Sequence, residues 1–456
     1  MINRIPPSYF NFPSISDPDI INAYNWIRSY IHEKDWKKRI SYIEKELSLK
    51  FKKDESIDIS KGTLNAINSD KIGWYLYLVY VGINEPYKYD YFPSARILPI
   101  FKRLGMNLDM VKSISGINKK IRTLVSKRMS EADAILFEIL TALLWRRNGW
   151  DVKILDEAKN RKTPDLEVTK EGKTWQVECK RQSKTANYTY QETEKRQKII
   201  SQVCDLLMQY DVLLDITFHV ELLSLPETYL KDLLTDIIPK TKASGKLIQN
   251  DEIDIDISFI DYNKINSFLK EYGIVKQNSP QLLELIANRP VDHSSFTGGN
   301  LGRYYLIGEG EVNNLYFTQI DKAFGVECRC DAESAIIAKA RDVKNQIHDA
   351  IKQFNQESDG IIHIGMETFD GSIVENERTN KITKTLKEID APNLGWIYLH
   401  YFQSYSRSED PWILDETTQR ITAYINPVPP LSIEHLIIPE NEVLSEDISH
   451  WDRPLP

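Results

Sequence analysis

Thr163-Pro164-Asp165-Leu166-Glu167-Val168-Thr169-Lys170-Glu171-Gly172-Lys173-Thr174-Trp175-Gln176-Val177-Glu178-Cys179-Lys180 reads as two short strands joined by a tight turn. Pro164 favours an extended entry, so Asp165 opens the first strand. Glu171-Gly172-Lys173 turns the chain back. On the returning strand the period of two puts Trp175, Val177 and Cys179 on one face and Gln176, Glu178 and Lys180 on the other. Glu178 and Lys180 are therefore expected to point the same way, beside Asp165 on the paired strand. Two converging carboxylates suit a hard cation such as Mg²⁺, which takes one or two carboxylates and fills its other positions with water and phosphate oxygens. A lysine two residues on can hold the attacking water and offset charge building on a phosphate.

Upstream, Ser130 and Asp133 have the spacing of a capping box. The helix that follows carries Ala132, Ile135, Leu136, Ile139, Leu140, Leu143 and Leu144 in register. Glu138 is the only charged residue from Ala134 to Trp145. A carboxylate in so apolar a helix is costly to bury unless a cation or donors meet it; a place at the rim of the apolar face is the competing reading. Asn148-Gly149-Trp150 stops the helix, and Val152-Lys153-Ile154-Leu155 reads as a strand.

Further out, residues 1–125 form a helical N-terminal region, with periodic apolar positions Trp36, Ile40, Ile43 and Leu47 between Asp35 and Asp54 and an aromatic run from Trp74. Its end is basic: Lys102, Arg103, Lys112, Lys119, Lys120, Arg122, Lys127 and Arg128 stand against the single acid Asp109. Such a run suits a phosphate backbone, and a solvated helix surface is the competing reading. Residues 223–405 alternate strand and helix. They include the acidic strand Asp254-Ile255-Asp256-Ile257-Ser258-Phe259, a Gly-rich loop at Thr297-Gly298-Gly299-Asn300-Leu301-Gly302, and one long helix from Ala332 through Phe354. Two apolar strands with His363 and His400 follow, each read as a satisfied structural histidine. The acidic, Pro-rich tail 406–456 is expected to wrap as an extended segment. The whole reads as an α/β protein with a mixed β-sheet flanked by helices and an α/β C-terminal extension, a candidate to complete the central sheet.

The chain has 456 residues, 41% of them hydrophobic, which is enough for about three domains with sizeable cores. No run approaches the roughly 18 apolar residues of a membrane span, and the N-terminus lacks a signal-peptide pattern. A soluble, cytoplasmic protein with no membrane partner is expected. Four scattered cysteines do not make a disulfide framework, and Cys328-Arg329-Cys330 lacks a second ligand pair at zinc-finger spacing. A net charge of −8 argues against coating nucleic acid by bulk electrostatics, so any such surface must be local. Phosphate-loop, dinucleotide-binding, nucleophile-elbow and H-E-x-x-H motifs do not occur.

Phe137-Glu138, Gly149-Trp150, Pro164-Asp165 and Val177-Glu178-Cys179-Lys180, with twelve residues between Asp165 and Glu178, together resemble the PD-(D/E)XK nuclease superfamily, nearest to its Mrr-like branches. The resemblance covers about 50 residues, Ser130 to Lys180. It implies a restriction-endonuclease-like core, placed at 126–222, and a Mg²⁺-dependent endonuclease, Mn²⁺ serving as substitute. By position, Asp165, Glu178 and the Cys179 carbonyl would bind the metal, Lys180 would be the catalytic lysine, and Glu138 would serve metal or water. DNA is the expected substrate, with restriction or antiphage defence as the implied setting; an RNase or structure-specific repair nuclease, or an idle nucleic-acid-binding subunit, are the alternatives. Lys119, Lys120, Arg122, Lys127, Arg128, Arg181, Lys184 and Gln197 are the candidate nucleic-acid contacts. One site per chain favours a homodimer for double-strand cleavage, and the missing motor motif leaves a separate ATPase or defence partner as an expectation.

Overall fold

The computed structural model describes residues 4–47, 70–126, 131–156, 163–182, 187–308, 314–340, 343–354, 359–368, 371–389, 391–422, 428–431 and 435–438. Ser130, Lys127, Arg128 and Lys184 lie outside them, as do the residues from 48 to Asp54 and from 439 onward. The described residues form an α/β protein with two mixed sheets flanked by helices.

The first sheet has the order β13-β12-β11-β4-β3-β2. Its strands are β2 (Asp151–Ile154), β3 (Leu166–Lys170), β4 (Lys173–Gln182), β11 (Gly360–Glu367), β12 (Leu394–Tyr405) and β13 (Ile413–Thr422). The β3–β4 hairpin pairs as read, with Leu166 opposite Val177, and Glu171 and Gly172 take positive φ in its turn. β4 then pairs in parallel with β11, and β11 with β12. A central strand between parallel neighbours is covered on both faces and reads as a continuous apolar run; Ile361-Ile362-His363-Ile364-Gly365-Met366 is such a run, wholly buried.

The helix Ala132–Arg147 packs against this sheet and is apolar nearly all round, as a helix buried on most sides must be. Its Ile135, Leu136, Ile139, Leu143 and Trp145 join one apolar cluster with Val168, Trp175 and Val177. Ile20, Ile27, Ile72, Leu76, Phe101 and Leu104 of the N-terminal helices belong to that same cluster. Val343, Ile347, Ile362, Ile364, Ile382 and Leu399 make another.

The second sheet has the order β1-β9-β10-β5-β7-β6, with β8 on β10. Its strands are β1 (Arg4–Ile5), β5 (Val212–Phe218), β6 (Gly245–Gln249), β7 (Ile253–Phe259), β8 (Val275–Lys276), β9 (Phe296–Ile307) and β10 (Leu315–Cys330). Sheet membership thus cuts across the sequence boundaries. β5, within 126–222, lies in the second sheet, while β11 and β12, within 223–405, complete the first. β1 extends the second sheet from the opposite end of the chain.

Several local expectations are corrected. Residues 297–302 are not a loop but part of the first half of β9, paired along β10. Gly302 sits where a Cβ would lie 1.9 Å from the Gln319 carbonyl oxygen, so its glycine serves close backbone approach beside a register shift. The long helix from Ala332 is two helices, Glu333–Lys339 and Lys344–Ile351. Lys381 Nζ donates to the Ile337 and Ala340 carbonyls at 2.5 and 3.0 Å, satisfying the acceptors exposed where the first helix ends. The Asp133 carboxylate is buried against Lys71, Arg96 and Tyr75, and Ser130, its expected capping-box partner, lies outside the described residues. The tail is not all extended wrapping, since 413–422 form β13 along β12. No helix among the described residues is long and apolar enough to cross a membrane.

Candidate active site

Asp165 precedes β3, and its backbone carbonyl accepts from Leu155 N–H at 2.9 Å. Its Oδ2 accepts the Cys179 N–H at 2.8 Å, which ties the carboxylate to β4 and sets it beside Glu178. Glu178 is 1% exposed, and its Oε1 accepts from Lys180 Nζ and, at 2.7 Å, from Gln353 Nε2. No nitrogen donor among the described residues reaches its buried Oε2. Burial, then the Asp165 charge, pushes the Glu178 carboxyl up; the Lys180 ammonium opposes this. Burial also raises Asp165, against the Cys179 N–H, Lys120 and Lys180. A buried carboxylate beside a half-buried one is stable with a shared proton or a bridging cation, and unfavourable when both are bare anions.

Glu138 projects from the Ala132–Arg147 helix and pairs with Lys120 of the Ile117–Leu124 helix. Lys120, read as a phosphate contact, is thus drawn into the site as the partner of Glu138. Among the described residues, no group of three or more His, Cys, Asp or Glu side chains is arranged to hold a metal. Asp165 and Glu178 present adjacent carboxylates, a donor set that fits Mg²⁺ with water and phosphate completing its shell. The Cys179 thiol is buried, and burial pushes its pKa well up.

Other expected contacts fall elsewhere. Arg181 is not a surface phosphate contact: its guanidinium is buried, paired with Glu367 and set over the Phe402 ring. The cause is strand alternation, which turns Arg181 away from Lys180 into the packed side near Phe137. Arg103 of the basic run is likewise buried, donating Nε–H to the Ile437 carbonyl at 3.1 Å. Lys119 is exposed and paired with Asp156 at 2.6 Å, and Arg122 is exposed. Gln197 is exposed on the helix Asn187–Ser201. The glutamine that reaches Glu178 is Gln353, which lies 175 residues from it in sequence and gives no spacing signal.

His363 and His400 are structural, as their strands imply. Trp145 Nε1–H donates to His363 Nε2 at 3.1 Å, which leaves the His363 proton on Nδ1, 2.9 Å from His400 Nε2. His400 Nδ1 then meets Glu416 Oε1 at 2.8 Å, and Glu416 Oε2 accepts the Ile437 and Ile438 N–H groups. Burial lowers both imidazoles and keeps them neutral. Comparison of the chain with known protein families, with curated proteins and with solved structures finds no match to any of the three.

Proposed function

We propose that the chain is a Mg²⁺-dependent endonuclease that hydrolyses phosphodiester bonds of DNA, with a restriction-endonuclease-like core built on the first sheet. One observation carries the reading: the half-buried Asp165, just before β3, lies beside the buried Glu178 of β4, with Lys180 on Glu178 and one Glu178 oxygen left without a nitrogen donor. That charge arrangement calls for a cation. Asp165 and Glu178 would hold it, and Mn²⁺ would substitute. A divalent cation supplies activation of water and neutralisation of the phosphate. Lys180, partly exposed beside Glu178, orients the attacking water and offsets charge at the phosphate. Gln353 keeps Glu178 in its rotamer by holding Oε1.

Cleavage of supercoiled plasmid, linear duplex and RNA with Mg²⁺, Mn²⁺ or EDTA tests the proposal. Duplex DNA is expected to be cut with either metal and not with EDTA, and folded Asp165→Asn and Lys180→Ala variants are expected to lose at least 100-fold, on the order of one removed electrostatic or acid–base contribution. Cleavage of RNA alone would make it an RNase, and tight binding without turnover an idle binding subunit.

A further inference from the structure

A second lysine, which does not come from the hairpin, contacts Glu138 and acts through its charge on Asp165. Lys120 lies on the Ile117–Leu124 helix, whose Ile117, Ile121 and Leu124 are buried. That helix is held against the sheet edge at its start. Ile154 N–H donates to the Ser115 carbonyl at 2.9 Å, and Gly116, at φ +89°, lies where a Cβ would be 2.8 Å from the Ile154 carbonyl oxygen. Lys120 is therefore fixed in place one turn on, and its ammonium pairs with Glu138, the two side chains being 20% and 12% exposed. Its charge also acts on Asp165. Lys120 thus neutralises Glu138 by direct contact and acts on Asp165 through its charge.

Charge counting gives this a consequence. With all three ionised, as a bound cation requires, the Glu138, Asp165 and Glu178 carboxylates outweigh the Lys120 and Lys180 ammonium groups by one negative charge. A bound divalent cation converts that to one net positive charge, which a single phosphodiester monoanion neutralises. Resting on the nuclease reading above, we propose that Lys120 is a positioning residue that serves as the built-in counter-ion of Glu138 and Asp165, competes with the divalent cation for them, and is released toward the phosphate when the cation binds.

The test is Mn²⁺ titration of the full chain at neutral pH, read by electron paramagnetic resonance of the free ion, alongside duplex cleavage. Removing a cation next to the site strengthens its hold on a dication, so Lys120→Met is expected to bind Mn²⁺ about tenfold more tightly. It is also expected to cleave at least tenfold more slowly, while Lys120→Arg keeps Mn²⁺ affinity within about twofold of the parent. Lys120→Gln, also uncharged, is expected to give the same tightening, so a misfolded methionine variant does not decide the matter. Unchanged or weaker Mn²⁺ affinity in the folded uncharged variants overturns the proposal. A parent chain that binds Mn²⁺ no better than Asp165→Asn is a different result: it removes the cation site, and with it the nuclease reading on which the proposal rests.

Discussion

Asp133 and Glu416 are both buried carboxylates, yet their surroundings push them in opposite directions. At Asp133 the cost of burial is outweighed by Arg96, Lys71 and Arg181, which hold the carboxyl well below its ordinary range. The native state then binds fewer protons than the unfolded chain, so the stabilisation is complete above a pH of about 4 and is lost as pH falls further. Asp133→Asn is expected to cost about 3–5 kcal/mol at pH 7, because Lys71 loses its carboxylate partner and Arg96 keeps only Glu367. Urea unfolding at pH 7 and 3.5 checks this, with the gap between variant and parent expected to narrow at the lower value. At Glu416 burial wins over its donors Ile438 N–H, Thr418 and Ile437 N–H, and the carboxyl is pushed up to about 7. Here the native state binds more protons between a pH of about 4.3 and about 7, so stability falls as pH rises through that window. Glu416→Gln is expected to flatten the slope of unfolding free energy between about pH 5 and 7; an unchanged slope would remove Glu416 as its source.

At the scale of elements, the hairpin was legible because its signals are local. Proline, turn glycine and a period of two fix Asp165 beside Glu178 without help from the rest of the chain. Glu138 was legible as an anomaly in an apolar helix, but its partner was not, since Lys120 is set by helix packing rather than by spacing. β9 and the break at Ala340 were misread for one reason: each depends on a distant group, the Gln319 carbonyl for Gly302 and the Lys381 ammonium for the helix end. The β9 reading makes a test. Gly302→Ala is expected to destabilise the chain by about 1–3 kcal/mol through overpacking against β10, whereas a glycine in a free loop would tolerate alanine with little change. Thermal unfolding distinguishes the two.

Across the whole molecule, the two sheets could not be sorted from sequence order. β4 and β11 pair in parallel, Glu178 opposite Ile362, although 184 residues separate the two and strands β5 to β10 of the second sheet lie between them in sequence. The helical N-terminal region, read as a separate unit, shares an apolar cluster with the β3–β4 hairpin and the Ala132–Arg147 helix. Deleting 1–125 is therefore expected to expose that cluster and leave a chain that aggregates or loses cooperative unfolding, seen by light scattering and circular dichroism. A monomeric, cooperatively folded 126–456 fragment would contradict the shared core. The site stands or falls on whether Asp165 and Glu178 hold a divalent cation, and anomalous diffraction from crystals grown with Mn²⁺ tests that most directly. The expected result is an anomalous peak between the two carboxylates with Lys180 moved off Glu178; Mn²⁺-soaked crystals with no peak there, and Lys180 still on Glu178, would contradict the assignment.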